Sequence, residues 1–401
     1  MRKFPDPLAG IAFNAGTRIK LSEENLCGLP IRPEDLATGE ALFIASAEGY
    51  RIIPLKPDLK KLYIEVTTHC NFACITCIRN SWRDELSHMS RETFESIKKA
   101  LPELTNLECV HFGGFGEPFS HPGIFDMLSS VKEMGLKAEI ITNGSLLNDA
   151  VADKLIDLKV DIVFVSLDAP DKDEYDRIRQ GADFSSVLDN IRGLVERKNK
   201  AKSIYPELGI EFVAMKNNYR KLPQLIKMCR DFNVRKFIVT NLLPYHQSIQ
   251  DQILYDMDDT VIPFGDDSPL TMMMAQLPYM KLRTDRYCKF VEDKAMCINH
   301  KGYVSPCYAL MHSYNCYVYG RQKEMIPYYL GNINEKHLVD IWKDAEYVNF
   351  RLAVKNFRFP SCSDCKDLEG CSMADNNEMD CWGNSPSCAE CLWSRRLIVC
   401  P

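Results

Sequence analysis

The 401-residue sequence lacks several features that would assign it to a class at once. No apolar run approaches the roughly 18 residues that a membrane-spanning helix needs. The first residues, MRKFPDPLAG, contain two prolines and no apolar stretch, unlike a signal peptide. No block of like charges stands out, and the net charge of −6 is not typical of a nucleic-acid-binding protein. We therefore expect a soluble cytoplasmic protein that binds neither membrane nor nucleic acid.

Cysteine, by contrast, is plentiful, and the 17 cysteines are unevenly distributed. Six lie in residues 1–287 and eleven in residues 288–401. In a secreted chain, such a tail would suggest disulfides. Because an export signal is not expected, clustered thiols favour ligation of metals or clusters instead.

The chain divides into four predicted segments. Residues 1–58 alternate short apolar runs with turn formers, which predicts a small β-rich N-terminal extension. In residues 59–245, short apolar strands alternate with helices of 3.6-residue periodicity. Residues 246–287 are rich in Asp, Met and Pro and form a predicted linking segment, and residues 288–401 form the cysteine-rich unit.

The second segment predicts an α/β fold with six strand–helix units. The predicted strands are Leu62–Val66, Glu108–Phe112, Ala138–Thr142, Ile162–Leu167, Ile210–Ala214 and Phe237–Asn241. The predicted helices are Arg91–Ala100, Phe125–Met134, Val151–Leu158, Val187–Lys198 and Leu222–Phe232, with Ser90 and Asn148 as N-caps of the first and third. Such a pattern is typical of a parallel sheet, either open or closed into a partial (β/α)6 barrel. In both forms, the functional residues gather at the carboxyl ends of the strands.

The first predicted strand leads into a loop with three cysteines within eight residues, Cys70, Cys74 and Cys77. A [4Fe–4S] cube normally takes four thiolates, so three leave one iron open to another ligand. A catalytic metal site keeps an open position in the same way. A structural zinc site is the alternative, with His69 as its fourth ligand. Joint tetrahedral coordination by the adjacent His69 and Cys70 would be awkward.

This loop resembles the three-cysteine signature of the radical S-adenosylmethionine superfamily. Further family motifs follow the later strands in the same order, and the resemblance covers residues 60–245. It implies that S-adenosylmethionine is bound by Gly113, Gly114, Gly116, Glu117, Asn143, Ser166, Asp168 and Arg179. Among these residues, Glu117 would orient the ammonium group of the cofactor. Arg179 would form a bidentate pair with its carboxylate.

The resemblance also implies an activity. A [4Fe–4S] cluster held by Cys70, Cys74 and Cys77 would pass an electron to S-adenosylmethionine. The cleaved cofactor would yield a 5′-deoxyadenosyl radical that takes a hydrogen atom from the substrate. The protein would supply positioning and water exclusion. An electron donor such as ferredoxin or flavodoxin would be a partner.

The tail resembles the SPASM extension of radical enzymes, which carries auxiliary iron–sulfur clusters. Gly302 precedes Cys307 at the family spacing, and Cys362, Cys365 and Cys371 form the paired-cysteine run. We expect one or two auxiliary clusters with ligands from Cys288, Cys297, Cys307, Cys362, Cys365, Cys371, Cys381, Cys388 and Cys391. One expected group joins Cys362, Cys365 and Cys371 to Cys388 or Cys391. The other joins Cys288, Cys307 and Cys381, with Cys297 as a candidate fourth ligand.

The ligand grouping stays open, because Cys381 lies further beyond Cys371 than the family spacing places its next cysteine. Zinc in the tail sites is the alternative to iron.

Three functions remain open at this point. The closing stretch from Asp380 to Pro401 resembles maturases of tungsten-cofactor oxidoreductases, which implies that the chain modifies a partner protein or its cofactor. A second possibility is a peptide-modifying radical enzyme that forms thioether or carbon–carbon crosslinks or matures sulfatases. A third, from another class, is an iron–sulfur or zinc binding protein without turnover. The three-thiol loop argues against the third, because a purely structural site would have four ligands.

Overall fold

The structure, a computed structural model, describes residues 17–20, 40–46, 49–82, 84–255, 274–283 and 285–400. Its strands are β1 Thr17–Lys20, β2 Glu40–Ser46, β3 Gly49–Pro54, β4 Lys61–Ile64, β5 Cys109–Phe112, β6 Lys137–Thr142, β7 Ile162–Ser166, β8 Glu207–Ala214, β9 Lys236–Asn241, β10 Met274–Gln276, β11 Ala295–Ile298, β12 Tyr303–Ser305, β13 Tyr314–Val318, β14 Arg321–Met325 and β15 Gly331–Asn332. Its α-helices are α1 Arg91–Ala100, α2 Ile124–Glu133, α3 Asp149–Asp157, α4 Lys172–Ile178, α5 Phe184–Lys200, α6 Leu222–Asp231, α7 Lys289–Glu292, α8 Leu338–Trp342 and α9 Ala345–Lys355.

A ten-stranded sheet in the order β10-β9-β8-β7-β6-β5-β4-β11-β12-β15 organises the molecule. Strands β4 to β9 are neighbours in chain order and all parallel, with helices in each connection between them. Their side chains are mostly buried, as expected for a parallel sheet covered by helices. The predicted α/β fold with six strand–helix units is therefore confirmed.

The helix starts confirm the two predicted N-caps. The side chain of Ser90 accepts a hydrogen bond from the Thr93 N–H at 3.1 Å, and Asn148 accepts one from Val151 N–H at 3.1 Å. Helix α4 was not predicted, because seven residues are too few to display a helical period. It is capped by the Asp171 side chain and ends just before Arg179.

The sheet extends beyond the six predicted units at both ends. Strand β10, from the predicted linking segment, pairs in parallel with β9. Strand β11, from the cysteine-rich tail, pairs in parallel with β4, with Cys297 opposite Tyr63. Backbone hydrogen bonds thus join the tail directly to the first strand of the core. Residues 256–273 of the linking segment lie outside the described residues.

Two smaller β units complete the description. Strands β1, β2 and β3 form an antiparallel sheet within the predicted N-terminal extension, whose residues 1–16, 21–39 and 47–48 lie outside the described ones. Strands β13 and β14 form a hairpin in the cysteine-rich tail. Over the residues described here, no helix is long and apolar enough to cross a membrane.

The segment Leu397–Cys400 returns to the central sheet. Val399 packs against Ile162 and Phe164 of β7 and Ile238 of β9. Its N–H donates to Thr240 Oγ1 at 2.9 Å. This segment therefore covers the part of the sheet formed by β7 and β9.

Candidate functional site

The three-cysteine loop follows β4, and side-chain and backbone contacts fix its shape. The Arg79 guanidinium donates from Nη1 to the Thr68 carbonyl at 2.8 Å and from Nη2 to the Phe72 carbonyl at 2.9 Å. The Ala73 N–H donates to the Gln180 carbonyl at 2.8 Å. The loop is thereby tied both to itself and to the chain that leaves α4.

Nitrogen donors surround the sulfur atoms of this loop. Cys70 Sγ accepts from the Phe72 N–H at 3.4 Å, and Asn143 Nδ2 lies 3.6 Å from the same sulfur. Arg179 Nη1 lies 4.0 Å from Cys74 Sγ. Such donors stabilise thiolates, and hydrogen bonds to sulfur tune iron–sulfur clusters. The loop and its donors fit a three-thiolate ligand set.

Burial acts in the opposite direction on the free thiols. It raises the pKa of Cys74 to about 11, although the Arg179 charge lowers it. It also raises the pKa of Cys70. These thiols are protonated near neutral pH until a metal displaces the protons, so cluster binding must release protons.

Glu117, which follows β5, braces the ends of two strands. It is 1% exposed, and its carboxylate accepts from Thr142 Oγ1 at 2.8 Å, Asn143 N–H at 2.7 Å and Phe119 N–H at 3.1 Å. Burial raises its pKa to about 7, against these hydrogen bonds. Its N–H also donates to the His69 carbonyl at 2.8 Å, which connects it to the cysteine loop.

Close packing leaves no room for a Cβ atom at the glycines before Glu117. A Cβ on Gly116 would lie 2.2 Å from the Thr67 carbonyl oxygen, and one on Gly114 would lie 2.6 Å from Glu65 Cγ. Gly114 also has a φ of +109°, which side chains rarely adopt. A Cβ on Gly113 would meet His111 Nε2 at 2.7 Å. The loop after β5 therefore lies directly on β4 and on the residues that lead into the cysteine loop.

Asp168 and Arg179 form a buried ion pair on the other side of the cysteine loop. Arg179 Nη2 lies 2.8 Å from Asp168 Oδ2, and both side chains are at least nine-tenths buried. Asp168 Oδ1 accepts from the Val213 N–H at 2.8 Å. Ser166 Oγ lies 3.5 Å from Glu211 Oε2, and burial raises the pKa of Glu211 to about 7.

The three loop cysteines and the residues predicted to bind S-adenosylmethionine lie at one edge of the sheet, and their roles stay predictions. All of them lie at or beyond the carboxyl ends of β4, β5, β6 and β7, on adjacent strands. Glu117, Asn143 and Arg179 contact the cysteine loop directly. Arg179 is paired with Asp168, and its pairing with a cofactor carboxylate stays a prediction.

A buried polar cluster beside this site was not predicted. His312 Nε2 lies 2.7 Å from Glu65 Oε2, and His300 Nδ1 lies 3.4 Å from the same oxygen. Glu65 Oε1 accepts from the Phe115 N–H at 3.1 Å. The other ring nitrogen of His312, Nδ1, lies 3.4 Å from Asp84 Oδ2.

This cluster joins three parts of the chain: the end of β4, the glycine loop after β5 and the cysteine-rich tail. The ring of Trp82 stacks on His312 with centroids 4.0 Å apart. Asp84 is the second acidic partner of His312. No periodicity links residues so far apart in sequence, so only the fold could reveal the cluster.

In the tail, one group of cysteines lies around a cavity. Cys307, Cys316, Cys388 and Cys391 line a space of about 480 Å³ that includes its opening to solvent. Cys288 belongs to the same neighbourhood, because burial and, after it, the charge of Cys391 raise its pKa to about 12. Four thiols and a cavity fit the donor chemistry of an iron–sulfur cluster.

A second group of cysteines lies closer to the surface. Burial raises the pKa of Cys362 to about 11, and the neighbouring charges of Cys381 and Cys371 act in the same direction. The Cys365 N–H donates to the Cys362 carbonyl at 3.0 Å. Among the described residues, no three His, Cys, Asp or Glu side chains surround a single metal position. This is true of both cysteine groups in the tail.

These neighbourhoods differ from the grouping expected from spacing. Cys388 and Cys391 lie with Cys288 and Cys307, whereas Cys381 lies with Cys362. The turn after Cys381 is the reason, because Asp380 accepts hydrogen bonds from Asn384 and Ser387 and directs the following chain inward. Cys297 is fully buried within β11.

Fold and site together define an iron–sulfur protein in which a three-thiol loop lies at the carboxyl edge of a parallel sheet. Family models agree: the radical SAM superfamily model matches residues 64–229, and the SPASM model, an iron–sulfur cluster-binding domain, matches residues 288–366. The chain belongs to the radical SAM superfamily, as an enzyme that binds S-adenosylmethionine at a [4Fe–4S] cluster and carries auxiliary iron–sulfur clusters.

Among curated proteins, the chain is similar to the tungsten-containing aldehyde ferredoxin oxidoreductase cofactor-modifying protein of Pyrococcus furiosus. The two are 37% identical over 347 residues, which cover 86% of this chain and 97% of that protein. A probable GTP 3′,8-cyclase of Methanocaldococcus jannaschii is 26% identical over 43% of this chain and 56% of its own length. The match to the Pyrococcus protein therefore covers most of this chain, whereas the match to the cyclase covers less than half of it.

Solved structures share the fold. Streptococcus suis SuiB bound to precursor peptide SuiA has a TM-score of 0.56 and 18% identity, covering 78% of this chain and 71% of that one. Native anSMEcpe with bound AdoMet has a TM-score of 0.52 and 18% identity, covering 83% and 94%. At this identity, the likeness concerns the fold alone.

Proposed function

We propose that this enzyme is a maturase that modifies a tungsten-dependent oxidoreductase, either its polypeptide or its cofactor. One observation carries the proposal: the similarity to the Pyrococcus furiosus cofactor-modifying protein extends over 97% of that protein. Shared catalytic residues alone would be common to the whole superfamily. A similarity over nearly the full length of a protein, beyond the matched radical SAM core, favours a shared target.

In this proposal, Cys70, Cys74 and Cys77 hold three of the four irons of the cluster. When bound, the reduced cluster supplies the electron that cleaves S-adenosylmethionine. Arg79 holds the loop backbone, so the three thiols keep their relative positions. Asn143 and Arg179 donate toward the sulfur atoms and lower the cost of placing negative charge there.

The residues at the neighbouring strand ends bind and orient S-adenosylmethionine. Asp168 holds Arg179 in place through the buried ion pair, which leaves the remaining guanidinium N–H groups for the carboxylate of the cofactor. Glu117 fixes the backbone of Asn143 and of the glycine loop. Preorganised donors of this kind need not rearrange when the ligand binds.

Further parts of the proposal concern partners and location. The electron comes from a ferredoxin or a flavodoxin. The enzyme works in the cytoplasm, where thiols stay reduced and so stay available as cluster ligands.

The catalytic claim is tested with the triple variant Cys70→Ala, Cys74→Ala, Cys77→Ala. We expect anaerobically reconstituted wild type to release 5′-deoxyadenosine when reduced, and the triple variant to release none. Cys229→Ala is the matched control, because Cys229 is fully buried in the core and should leave turnover intact. Release of 5′-deoxyadenosine by the triple variant would contradict the role of the loop.

The target is tested separately. Wild-type enzyme, reductant and S-adenosylmethionine are incubated with a tungsten oxidoreductase purified from cells that lack the maturase. We expect a mass change in the oxidoreductase or in its extracted cofactor, together with a gain in aldehyde oxidation. If 5′-deoxyadenosine forms but neither mass changes, the enzyme has a different target.

A further inference from the structure

A second cavity lies between the central sheet and the tail, apart from the three-cysteine loop. Its volume is about 530 Å³, including its opening to solvent. It is lined by Tyr63, Gln276, Leu277, Tyr287, Lys289, Phe290, Trp393, Arg396, Ile398, Val399 and Cys400. None of these residues belongs to the predicted S-adenosylmethionine site, and none of them lines the cavity around Cys307 except Trp393.

Two cations line this cavity without a carboxylate partner among the described residues. Lys289 Nζ donates only to neutral oxygens, the Cys400 carbonyl at 3.1 Å and Gln276 Oε1 at 3.5 Å. Arg396 donates from Nη1 to Tyr279 OH at 3.0 Å. Neither cation takes part in an ion pair with a carboxylate of the described chain, although the net charge of the protein is negative.

Aromatic rings hold the arginine in position. The Arg396 guanidinium lies 4.9 Å from the Tyr279 ring centroid and 5.5 Å from that of Tyr287. The guanidinium of Arg283 also stacks on Tyr279, at 4.3 Å from the ring centroid. Stacking fixes the plane of a guanidinium and leaves its edge N–H groups free for an anion.

Two carboxylates, Asp293 and Glu139, act on the charge of Lys289, and among the described residues neither forms an ion pair with it. Glu139 Oε2 lies 2.7 Å from Lys61 Nζ and 3.3 Å from His111 Nδ1. On the tail side, Glu292 pairs with Lys355 at 3.7 Å. The charge of Lys289 is therefore not neutralised by these neighbours.

The segment Leu397–Cys400 separates this cavity from the sheet interior. Asn241 Nδ2 donates to the Leu397 carbonyl at 2.9 Å, and Trp393 Nε1 lies 3.1 Å from Cys400 Sγ. Val399 contributes to the cavity wall while it packs against strands β7 and β9. Hydrogen bonds and packing therefore hold the walls of this cavity in place.

We propose that this cavity is a second binding site, for a phosphorylated small molecule. Lys289 and Arg396 bind its phosphate, and the rings of Tyr287, Phe290 and Trp393 contact its apolar or aromatic body. Small-molecule sites are concave and mostly apolar with a few placed polar groups, and the lining of this cavity has that composition. A phosphate matches two cations better than a single carboxylate does, since it carries more charge and three acceptor oxygens.

The test is calorimetric titration of the full-length, cluster-loaded enzyme with inorganic pyrophosphate under anaerobic conditions. We expect saturable binding of one pyrophosphate per chain. Lys289→Gln and Arg396→Gln should each weaken it by at least about tenfold, which corresponds to roughly 1.4 kcal/mol. Arg220→Gln is the matched control, because Arg220 also stacks on a tyrosine, at 5.6 Å from the Tyr219 centroid, but lies outside the cavity.

Three results would overturn the proposal: no saturable binding, equal weakening by Arg220→Gln, or binding that both cavity variants leave unchanged. Tighter binding of an acidic peptide than of pyrophosphate would assign the cations to a protein partner instead. Release of 5′-deoxyadenosine by Arg396→Gln is measured in parallel and should match wild type. The outcome is therefore independent of the catalytic claim.

Discussion

His312 Nε2 lies 2.7 Å from Glu65 Oε2, and the two side chains come from distant parts of the sequence. Glu65 follows the first strand of the core, and His312 belongs to the cysteine-rich tail. Both are almost completely buried, so each is the main compensation for the other's charge. The contact therefore holds the tail against the strand that leads into the three-cysteine loop.

Breaking this pair should be costly. We expect His312→Ala to lower the free energy of unfolding by about 3–5 kcal/mol, because Glu65 would stay buried with a weaker partner. The measurement is urea denaturation followed by far-UV circular dichroism. The exposed pair of Lys172 and Asp176 is the control, and Lys172→Ala should change the free energy of unfolding far less than His312→Ala does.

A double variant, Glu65→Gln with His312→Ala, makes the test specific. Because the two side chains interact, the double variant should lose clearly less free energy of unfolding than the two single variants lose in sum. Additive losses would show that the two side chains act independently.

The same pair predicts a pH dependence of stability. Burial alone would lower the pKa of His312, but Glu65 and Asp84 raise it from 6.5 to about 9. Burial alone would raise the pKa of Glu65, but His312 and His300 lower it from 4.5 to about 2. The histidine contribution is complete below pH 6.5 and is lost as the pH rises through 9. The glutamate contribution is complete above pH 4.5 and is lost as the pH falls through 2.

We therefore expect the melting temperature of wild type to fall more steeply between pH 6.5 and 9 than that of Glu65→Gln/His312→Gln. All other titrating groups are common to both proteins, so the difference reports this pair. Parallel curves over this range would contradict the raised pKa of His312.

Gly116 should tolerate no side chain. Gly116→Ala would place Cβ 2.2 Å from the Thr67 carbonyl oxygen, which is backbone and cannot move away alone. We expect displacement of the cysteine loop, with loss of most iron from the corresponding cluster after anaerobic reconstitution. Gly123→Ala is the control, since its Cβ would meet His121 at an ordinary 3.4 Å. Normal iron binding by Gly116→Ala would mean that the loop is not held by this contact.

The cysteine neighbourhoods predict two independent auxiliary clusters. Cys388→Ala and Cys362→Ala should each remove the iron of one cluster, and combining them should remove both. Combining Cys388→Ala with Cys307→Ala should remove no more iron than Cys388→Ala alone, because both thiols line one cavity. Iron and sulfide counts with electron paramagnetic resonance provide the measurement. A larger loss in the Cys307 combination would require a different grouping.

The sequence predicted the repeating part of the fold well, because strands and helices of ordinary length carry their own periodicity. The five predicted helices and six predicted strands of the core all exist, with ends shifted by a few residues. Strand β10 was missed because its three residues have no pattern, and the pairing of β11 with β4 was missed because sequence does not encode partners separated so far.

The candidate site divides in the same way. Cys70, Cys74 and Cys77 are close in sequence, so spacing alone predicted that they lie on one loop after the first core strand. Glu65 and His312 are 247 residues apart, and neither stands in a recognisable motif. The tail cysteines fall between these cases, because a turn held by Asp380 decides which thiols meet.

The pairing of β11 with β4 also bears on how the chain folds. Cys297 lies opposite Tyr63, and Val399 packs inside the sheet against Phe164, so contacts of very long sequence separation close the core. Such contacts form late and slowly, because closing a large loop costs entropy before the contacts can stabilise the fold. During synthesis, the six core strands emerge well before these partners do. The edge of β4 that pairs with β11 therefore stays unpaired during synthesis until the tail has been made.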